Sequence, residues 1–119
     1  MANTFKVITF DGMSASGDTP EDLYTAGSGV TGIVMALVIA NIHTADVTVD
    51  VKLVSDTGSR GGTNDETNDT SFLLNDVNIP VGTSINVLKG QVVEVTDVLQ
   101  VSCSVADKVS VTLSILERT

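Results

Sequence analysis

The stretch that decides the fold is Ile33-Val34-Met35-Ala36-Leu37-Val38-Ile39-Ala40-Asn41-Ile42. No charged residue interrupts it, and five of its ten residues are the β-branched Ile or Val, which favour strands. A buried helix is also compatible with a short apolar run, because periodicity alone does not separate the two. The β-branched composition makes a strand the preferred interpretation. A strand without a polar side must be covered on both of its faces.

The residues that follow show a different pattern. After a polar break at 43–46, the segment Val47-Thr48-Val49-Asp50-Val51-Lys52-Leu53-Val54 alternates between apolar and polar residues up to Leu53. This period of two is typical of a strand with one buried and one solvated face. We therefore interpret 33–42 as a central strand and 47–54 as its antiparallel neighbour.

The end of the chain has the clearest alternation. Leu99, Val101, Cys103 and Val105 alternate with polar residues, and the same pattern resumes over 109–115 after a turn at 106–108. Two such runs joined by a short turn predict a hairpin. The polar positions are Ser, Thr and Gln, and such neutral faces tolerate being covered by another copy better than Lys-rich faces do.

Shorter candidate strands complete the pattern, and Pro80 indicates an edge or a turn because it cannot donate to a central ladder. Thr19 and Pro20 could open a single helical turn, but nothing periodic follows them. About eight strands without a substantial helix predict an all-β protein, an antiparallel β-sandwich that is Ig-like or jelly-roll-like. The short candidates lie at 5–10, 23–26, 70–74, 83–88 and 91–95.

A length of 119 residues fits one sandwich domain, which we place at 23–119. Residues 1–22 are expected to form an N-terminal strand or arm followed by a loop. The N-terminus lacks the basic and apolar pattern of a signal peptide, and the single Cys allows no internal disulfide. We therefore expect synthesis and folding in a cytoplasm.

Composition argues against several classes of function. The net charge is −9 with only six Lys and Arg residues, which argues against binding nucleic acid or an anionic membrane surface. The apolar run at 33–42 is shorter than the roughly 20 residues needed to span a bilayer. Hydrophobic residues make up 42% of the chain, but aromatic residues make up 3% and Trp is absent. The core must be aliphatic, and no aromatic platform for a sugar is evident.

We find no convincing catalytic set. His43 is the only histidine and would have to serve any Ser-His-Asp triad, but no Gly-x-Ser-x-Gly elbow accompanies it. Cys103 occupies an inward position of an alternating strand and is interpreted as a small buried hydrophobic residue. We expect no catalytic residue and no enzymatic activity.

The polar segment 55–69 is the weak candidate for a metal site. Its acidic residues could supply hard oxygen ligands for Ca²⁺, but their spacing does not match an EF-hand loop. We expect no cofactor and interpret the segment as solvated or facing a partner. The weak Ca²⁺ candidates are Asp56, Asp65, Glu66 and Asp69.

Several short motifs occur together between Leu23 and Glu117. They are Leu23-Tyr24-Thr25-Ala26, a glycine-rich turn, Ile33 to Asn41, Thr44-Ala45-Asp46-Val47-Thr48-Val49, Ile79-Pro80-Val81-Gly82-Thr83-Ser84-Ile85 and Ser114-Ile115-Leu116-Glu117. This set resembles a family of small virion proteins of tailed bacteriophages. The family usually has Ala-Gly-Asp before its penultimate strand, whereas this chain has Val95-Thr96-Asp97.

The resemblance implies a non-enzymatic β-sandwich in the virion, as a capsid decoration or cement protein or as a neck, tail or fibre-associated protein. The partners would be the major capsid protein or other virion proteins. We also expect a symmetric homo-oligomer, a trimer, in which the arm at 1–10 is held by a neighbour. A Ca²⁺-dependent or glycan-binding module that uses 55–69 remains the alternative. The candidate interface residues are Phe5, Val7, Phe10, Val34 and Val38.

Overall fold

The computed structural model describes residues 2–58 and 67–119. These residues form strands joined by turns and loops, and they contain no helix. No segment of this described part is therefore a helix that could cross a membrane. The strands are β1 (Asn3–Met13), β2 (Glu21–Thr25), β3 (Thr31–Asn41), β4 (Val47–Val54), β5 (Ser71–Ile79), β6 (Ser84–Asn86), β7 (Val92–Val93), β8 (Val98–Cys103) and β9 (Val109–Arg118).

The strands form two antiparallel sheets that pack as a sandwich. The first sheet has the order β1-β9-β3-β6. Strand β7 pairs with β3 on the same side as β6, but at the beginning of β3. The second sheet has the order β2-β8-β4-β5. The predicted all-β antiparallel sandwich is confirmed.

The pairing of strands is nested along the sequence. The first strand pairs with the last, β2 pairs with β8, β3 pairs with the short strands β6 and β7, and β4 pairs with β5. A long antiparallel ladder folded over into two sheets gives this nesting, which is the topology of a jelly roll. Of the Ig-like and jelly-roll-like sandwiches expected from the sequence, the structure has the jelly-roll topology.

Two local pairings expected from the sequence are wrong. The segments 33–42 and 47–54 correspond to β3 and β4, which lie in different sheets and so are not paired neighbours. The predicted terminal hairpin is wrong for the same reason, because β8 and β9 also lie in different sheets. The β3–β4 connection crosses the edge of the sandwich at Asn41. The buried Asn41 amide donates to the carbonyls of Ala45 and Ile79, at 2.9 Å each.

The N-terminal segment expected as a separate strand or arm is part of the sandwich in this structure. Strand β1 pairs with β9 of the same chain from Asn3 to Phe10, and the single helical turn considered near Thr19 is replaced by strand β2. Pro80 lies in a turn after β5, where its carbonyl accepts a hydrogen bond from the Thr83 amide, as an edge or turn position requires.

The core is aliphatic and lies between the sheets. Strand β9 contributes Val109, Val111, Leu113 and Ile115, all buried, and each alternates with a residue on the opposite face. Strand β3 follows the same rule except at a bulge around Met35, where the register with β9 shifts. Its other face remains partly open, so the cover expected on both faces of β3 is incomplete among the described residues. The buried residues of β3, β4 and β8 are Val34, Leu37, Ile39, Val47, Val49, Val51, Leu99, Val101 and Cys103.

The turn before β8 contains a strained residue. Thr96 has a φ of 67°, in the left-handed region that β-branched residues rarely adopt. The turn is held by a hydrogen bond from the Thr96 amide to the Ala26 carbonyl, at 2.9 Å. This is the position at which the resembled family has Gly, and Gly would adopt this conformation without a Cβ clash.

Neighbouring residues of β3 should respond differently to truncation. We expect Leu37→Ala to lower the free energy of unfolding by about 2–5 kcal/mol, because it leaves a cavity in the core. We expect Val38→Ala to cost about 1 kcal/mol or less, because its side chain lies half-buried on the outer face. Urea unfolding of the dilute protein measures both values. Equal costs for the two variants would contradict the assigned faces.

Relief of the strain at Thr96 should stabilise the protein. We expect Thr96→Gly to raise the free energy of unfolding by about 0.5–1 kcal/mol. The variant removes the backbone strain of Thr96, and part of that gain is offset because Gly has more conformational entropy in the unfolded chain. Thr96→Ala is the control, since it keeps a Cβ in the left-handed region. Thermal or urea unfolding gives the comparison, and a Gly variant no more stable than the Ala variant would contradict the strain.

Candidate interaction surface

Alternate residues of the first sheet point away from the core and form its outer surface. The strand register places Phe5, Leu116, Ile33 and Val92 directly opposite one another in a row across β1, β9, β3 and β7. Phe5 is 71% exposed and Val92 is 46% exposed, while the two central residues are half-buried. Four large apolar side chains therefore lie side by side with solvent above them.

A second row of side chains lies beside the first. Val7 is opposite Ser114, which in turn is opposite Ala36. Met35 is the extra residue at the bulge and is 49% exposed, while Val7 is 64% exposed. Bulges commonly redirect a side chain at functional edges, and this one adds an apolar side chain to the surface. We call the two rows the outer apolar face, formed by Phe5, Val7, Ile33, Met35, Val92 and Leu116.

Two shallow grooves cross the outer apolar face. The groove between β1 and β3 has a volume of about 400 Å³ and includes Phe5, Val7 and Met35 in its lining. The groove beside β7 has a volume of about 360 Å³ and includes Ile33 and Val92. The surface of both grooves is mainly apolar, although Thr31, Arg118 and Thr119 also line the second, and both lie open to solvent.

The charge distribution sets this face apart. The chain carries 15 Asp and Glu residues, but the paired outward positions of β1 and β9 between Asn3 and Thr9 hold only Asn, Phe, Val, Thr, Ser, Leu and Arg. On β3, the outward side chains are Thr, Ile, Met, Ala and Val. A face without Asp or Glu, on a strongly acidic molecule, can make contacts without burying carboxylates.

A polar cluster closes the end of the sandwich beside this face. The Tyr24 hydroxyl donates to Glu117 Oε2 at 2.6 Å, and Lys6 Nζ lies 2.7 Å from Glu117 Oε1. The hydrogen bond from Lys6, followed by that from Tyr24, lowers the pKa of Glu117. Burial first, and the Glu117 carboxylate second, raise the pKa of Tyr24 well above its ordinary value. The cluster joins β2 of one sheet to β1 and β9 of the other.

Glycine at position 32 makes this closure sterically feasible. A Cβ built there would lie 3.0 Å from both Ile115 Cδ1 and Tyr24 Cε2. The Tyr24 ring therefore packs on the backbone of β3, and its hydroxyl reaches Glu117 from that position. The Tyr-containing segment 23–26 and the glycine-rich turn, both among the motifs that carry the resemblance, meet at this point.

A second polar cluster lies at the base of segment 55–69. The buried Asp97 carboxylate accepts hydrogen bonds from Ser55 Oγ at 2.7 Å, Thr57 Oγ1 at 3.0 Å and the Glu94 amide at 3.0 Å. The side-chain amide of Asn68 donates through Nδ2 to Ser55 Oγ at 3.0 Å. Both ends of the segment are thus fastened to the turn before β8, and the carboxylate is satisfied by neutral donors.

The structure describes two of the four Ca²⁺ candidates, and these two do not form a metal site with other described residues. Asp56 and Asp69 are exposed, and Asp69 accepts a hydrogen bond from the Thr70 amide. Asp65 and Glu66 lie outside the described residues. Across 2–58 and 67–119, no three His, Cys, Asp or Glu side chains form a group that could hold a metal.

The two residues considered for catalysis lie apart from the outer apolar face. Cys103 is buried in the core, and burial raises the pKa of its thiol, which disfavours the reactive thiolate. His43 lies in the β3–β4 connection, where its amide donates to Asn41 Oδ1 at 2.7 Å. These contacts hold the connection and the core in place.

The five predicted interface residues lie in different environments. Phe5 and Val7 belong to the outer apolar face, and Val38 lies on the same side, half-buried. Phe10 is opposite the inward residue Val111 but is 37% exposed, because β1 is an edge strand. Val34 is fully buried in the core, so its choice as an interface residue is wrong.

The sequence reasoning missed Ile33, Met35, Val92 and Leu116. A signal for Leu116 was present, since it follows Ile115 directly and breaks the alternation of the last strand with an apolar residue on the polar side. Adjacent apolar residues at the end of an alternating strand predict apolar side chains on both faces at that point.

Comparisons of the chain with protein-family models, with curated proteins and with solved structures find no match.

The cluster around Glu117 should make stability depend on pH. Because its pKa is lowered in the folded protein, its contribution to stability is present above the ordinary Glu pKa and is lost as the pH falls through the folded value. We expect the stability difference between wild type and Glu117→Gln to shrink from about pH 6 to about pH 3. Urea titrations across this range measure it, and Lys6→Met should weaken the same dependence. A difference independent of pH would contradict the assigned contacts.

Proposed function

We propose that this chain is a non-enzymatic structural subunit of a tailed-phage virion, a capsid decoration or cement protein that associates with itself on the particle. The outer apolar face is the surface through which it packs against neighbouring virion subunits. The role is mechanical, and its chemistry is the burial of apolar side chains.

The observation that carries this proposal is the uncovered outer side of β3. The sequence of β3 is apolar on both faces, yet the described chain covers the outer one only in part and leaves Met35 49% exposed. Burying apolar surface contributes about 25 cal/mol per Å², so leaving Phe5, Val7 and Met35 in solvent is costly in free energy. Exposed apolar patches with polar surroundings are typical of protein–protein interaction sites.

The fold and the sequence resemblance support the same proposal. Jelly-roll sandwiches occur in viral capsid domains and also in lectins and cupins, so the topology is compatible with several functions. The resemblance to small tailed-phage virion proteins favours the first of these. Enzymatic function would need a nucleophile or an acid–base pair in a pocket, whereas both grooves described above have mainly apolar linings.

The charge pattern fits a subunit that must stay soluble before it assembles. A net charge of −9 keeps free copies apart, while the neutral outer apolar face allows a specific contact when copies or partners are aligned. A neck, tail or fibre-associated position would use the same face. The Ca²⁺-dependent or glycan-binding alternative depends on segment 55–69, part of which lies outside the described residues, and it stays a sequence-based prediction.

The proposal is tested first by the number of copies in the particle. Quantitative mass spectrometry of purified virions, with the major capsid protein as the internal reference, should give a copy number comparable to that protein. A low number that is a multiple of the tail symmetry would replace the decoration role with a neck, tail or fibre role. Absence of the chain from purified particles would overturn the proposal.

A pair of matched variants tests the surface. Phe5 lies on the outer apolar face, whereas Phe72 is similarly exposed on β5 of the other sheet, where its ring lies 5.0 Å from Lys52 Nζ. We expect Phe5→Asp to lower incorporation into particles at least about tenfold, because a carboxylate would be buried in the contact. Phe72→Asp should leave incorporation within about twofold. Equal incorporation of both variants would contradict the assigned face.

A further inference from the structure

Strand edges are where sheets add further strands, and β1 is the least protected edge in the described part of the chain. The second sheet ends in β2, which is short and bulged, and in β5, whose register with β4 shifts twice. The other edge of the first sheet consists of β6 and β7, with three and two residues. Short strands, bulges and charged side chains are devices that protect edges; from Asn3 to Phe10, β1 is long and has no bulge, and Lys6 is its one charged residue.

The hydrogen-bond phase shows which β1 groups face the open edge. Ala2 and Thr119 exchange both backbone hydrogen bonds, so they form a hydrogen-bonded pair of the β1–β9 ladder. Such pairs alternate with non-bonded ones in an antiparallel ladder. The residues whose amides and carbonyls face β9 are therefore Thr4, Lys6, Ile8 and Phe10. Those of Asn3, Phe5, Val7 and Thr9 face away from β9 and have no backbone partner among the described residues.

We propose that the free edge of β1 pairs antiparallel with β1 of a second copy of this chain, with a two-fold axis between the two Val7 residues. This inference deepens the proposed function, because it names one contact by which the copies associate and rests on their self-association. The occupant is a second copy because the edge is complementary to itself. A two-fold contact presents the same groups from both sides.

A two-fold axis at any β1 residue would match donors to acceptors, but only axes at Lys6 and Val7 overlap as many as seven residues of the regular stretch from Asn3 to Phe10. A two-fold axis at Lys6 would place two Lys side chains directly opposite each other, which is destabilising. An axis at Phe5 or at Ile8 would overlap only five residues of that stretch. An axis at Val7 pairs Phe5 of each copy with Thr9 of the other, and places Lys6 opposite Ile8. Three bonded pairs then exchange about six hydrogen bonds.

The Val7 register also joins the outer apolar faces. The Phe5, Val7 and Thr9 side chains of both copies lie on the same outer surface, and Phe5 of one copy is diagonal to Val7 of the other, within contact distance. The two sheets become continuous, β6-β3-β9-β1 in one copy running into β1-β9-β3-β6 in the other. The apolar surface available to a virion partner doubles, and the contact gives a dimer in place of the trimer expected from the sequence.

Cysteine cross-linking of the full chain tests the register. Cα atoms in a hydrogen-bonded antiparallel pair lie about 5.5 Å apart, within the range that a disulfide spans. With copper–phenanthroline as the oxidant, Val7→Cys should form a disulfide-linked dimer at least tenfold faster than Phe5→Cys. Phe5 is the more exposed of the two and lies on the same face, so random collision would favour it. Faster cross-linking of Phe5→Cys would overturn the register.

A proline pair tests the edge itself. Val7→Pro removes an amide that faces the open edge, so it should abolish the dimer, seen as one chain mass by light scattering, and leave the fold intact by circular dichroism. Ile8→Pro removes an amide directed at β9 and should destabilise the fold instead. A wild-type monomer across a dilution series, a trimer, or a Val7→Pro dimer would each overturn this inference.

These outcomes are separable from failure of the proposed function. A wild-type chain that is monomeric in solution yet abundant in virions would overturn the β1 pairing and leave the virion role standing. A chain that forms the Val7-linked dimer but is absent from purified virions would support the β1 pairing and overturn the virion role.

Discussion

The structure depends on strand β9 being paired along both of its sides at once. It meets β1 from Asn3 to Phe10 and β3 from Thr31 to Asn41, and its inward residues fill the middle of the core. A slip of one residue against either neighbour would move Val111, Leu113 and Ile115 out of the core. The register of the whole first sheet is therefore fixed by the alternation in one strand, and so is the composition of its outer surface.

Strand positions were predictable from the sequence, but their partners were not. A period of two tells which side chains share a face, and this placed β3, β4, β8 and β9 correctly within a few residues. It does not tell in which sheet a strand lies, so the turns at 43–46 and 106–108 were interpreted as hairpins although both cross between sheets. The decisive information is tertiary, such as the buried Asn41 amide that fastens the crossing at Ala45 and Ile79.

The candidate surface was predictable in part for the same reason. Phe5 and Val7 could be assigned from an apolar alternation at the N-terminus, but Val34 could not be separated from Val38 in a run that is apolar throughout. The bulge at Met35 makes the difference, since it shifts the inward positions from Val34 to Leu37 and Ile39. Nothing in the residue types marks this bulge. The left-handed Thr96, in contrast, lies where the resemblance already indicated a departure from Gly.

The open edge and the outer apolar face meet on one strand, and this has a physical consequence for association. Strand β1 carries the Phe5 and Val7 side chains on the face, and on the edge it carries their backbone groups, which no residue of 2–58 or 67–119 pairs. Edge pairing alone would give directional hydrogen bonds of modest net value, and apolar burial alone would give affinity with little control of orientation. Placed on the same residues, each supplies what the other lacks. The carboxylates that give the chain its charge of −9 are absent from the paired outward positions between Asn3 and Thr9, so charge repulsion would oppose the proposed β1 pairing less than other encounters between copies.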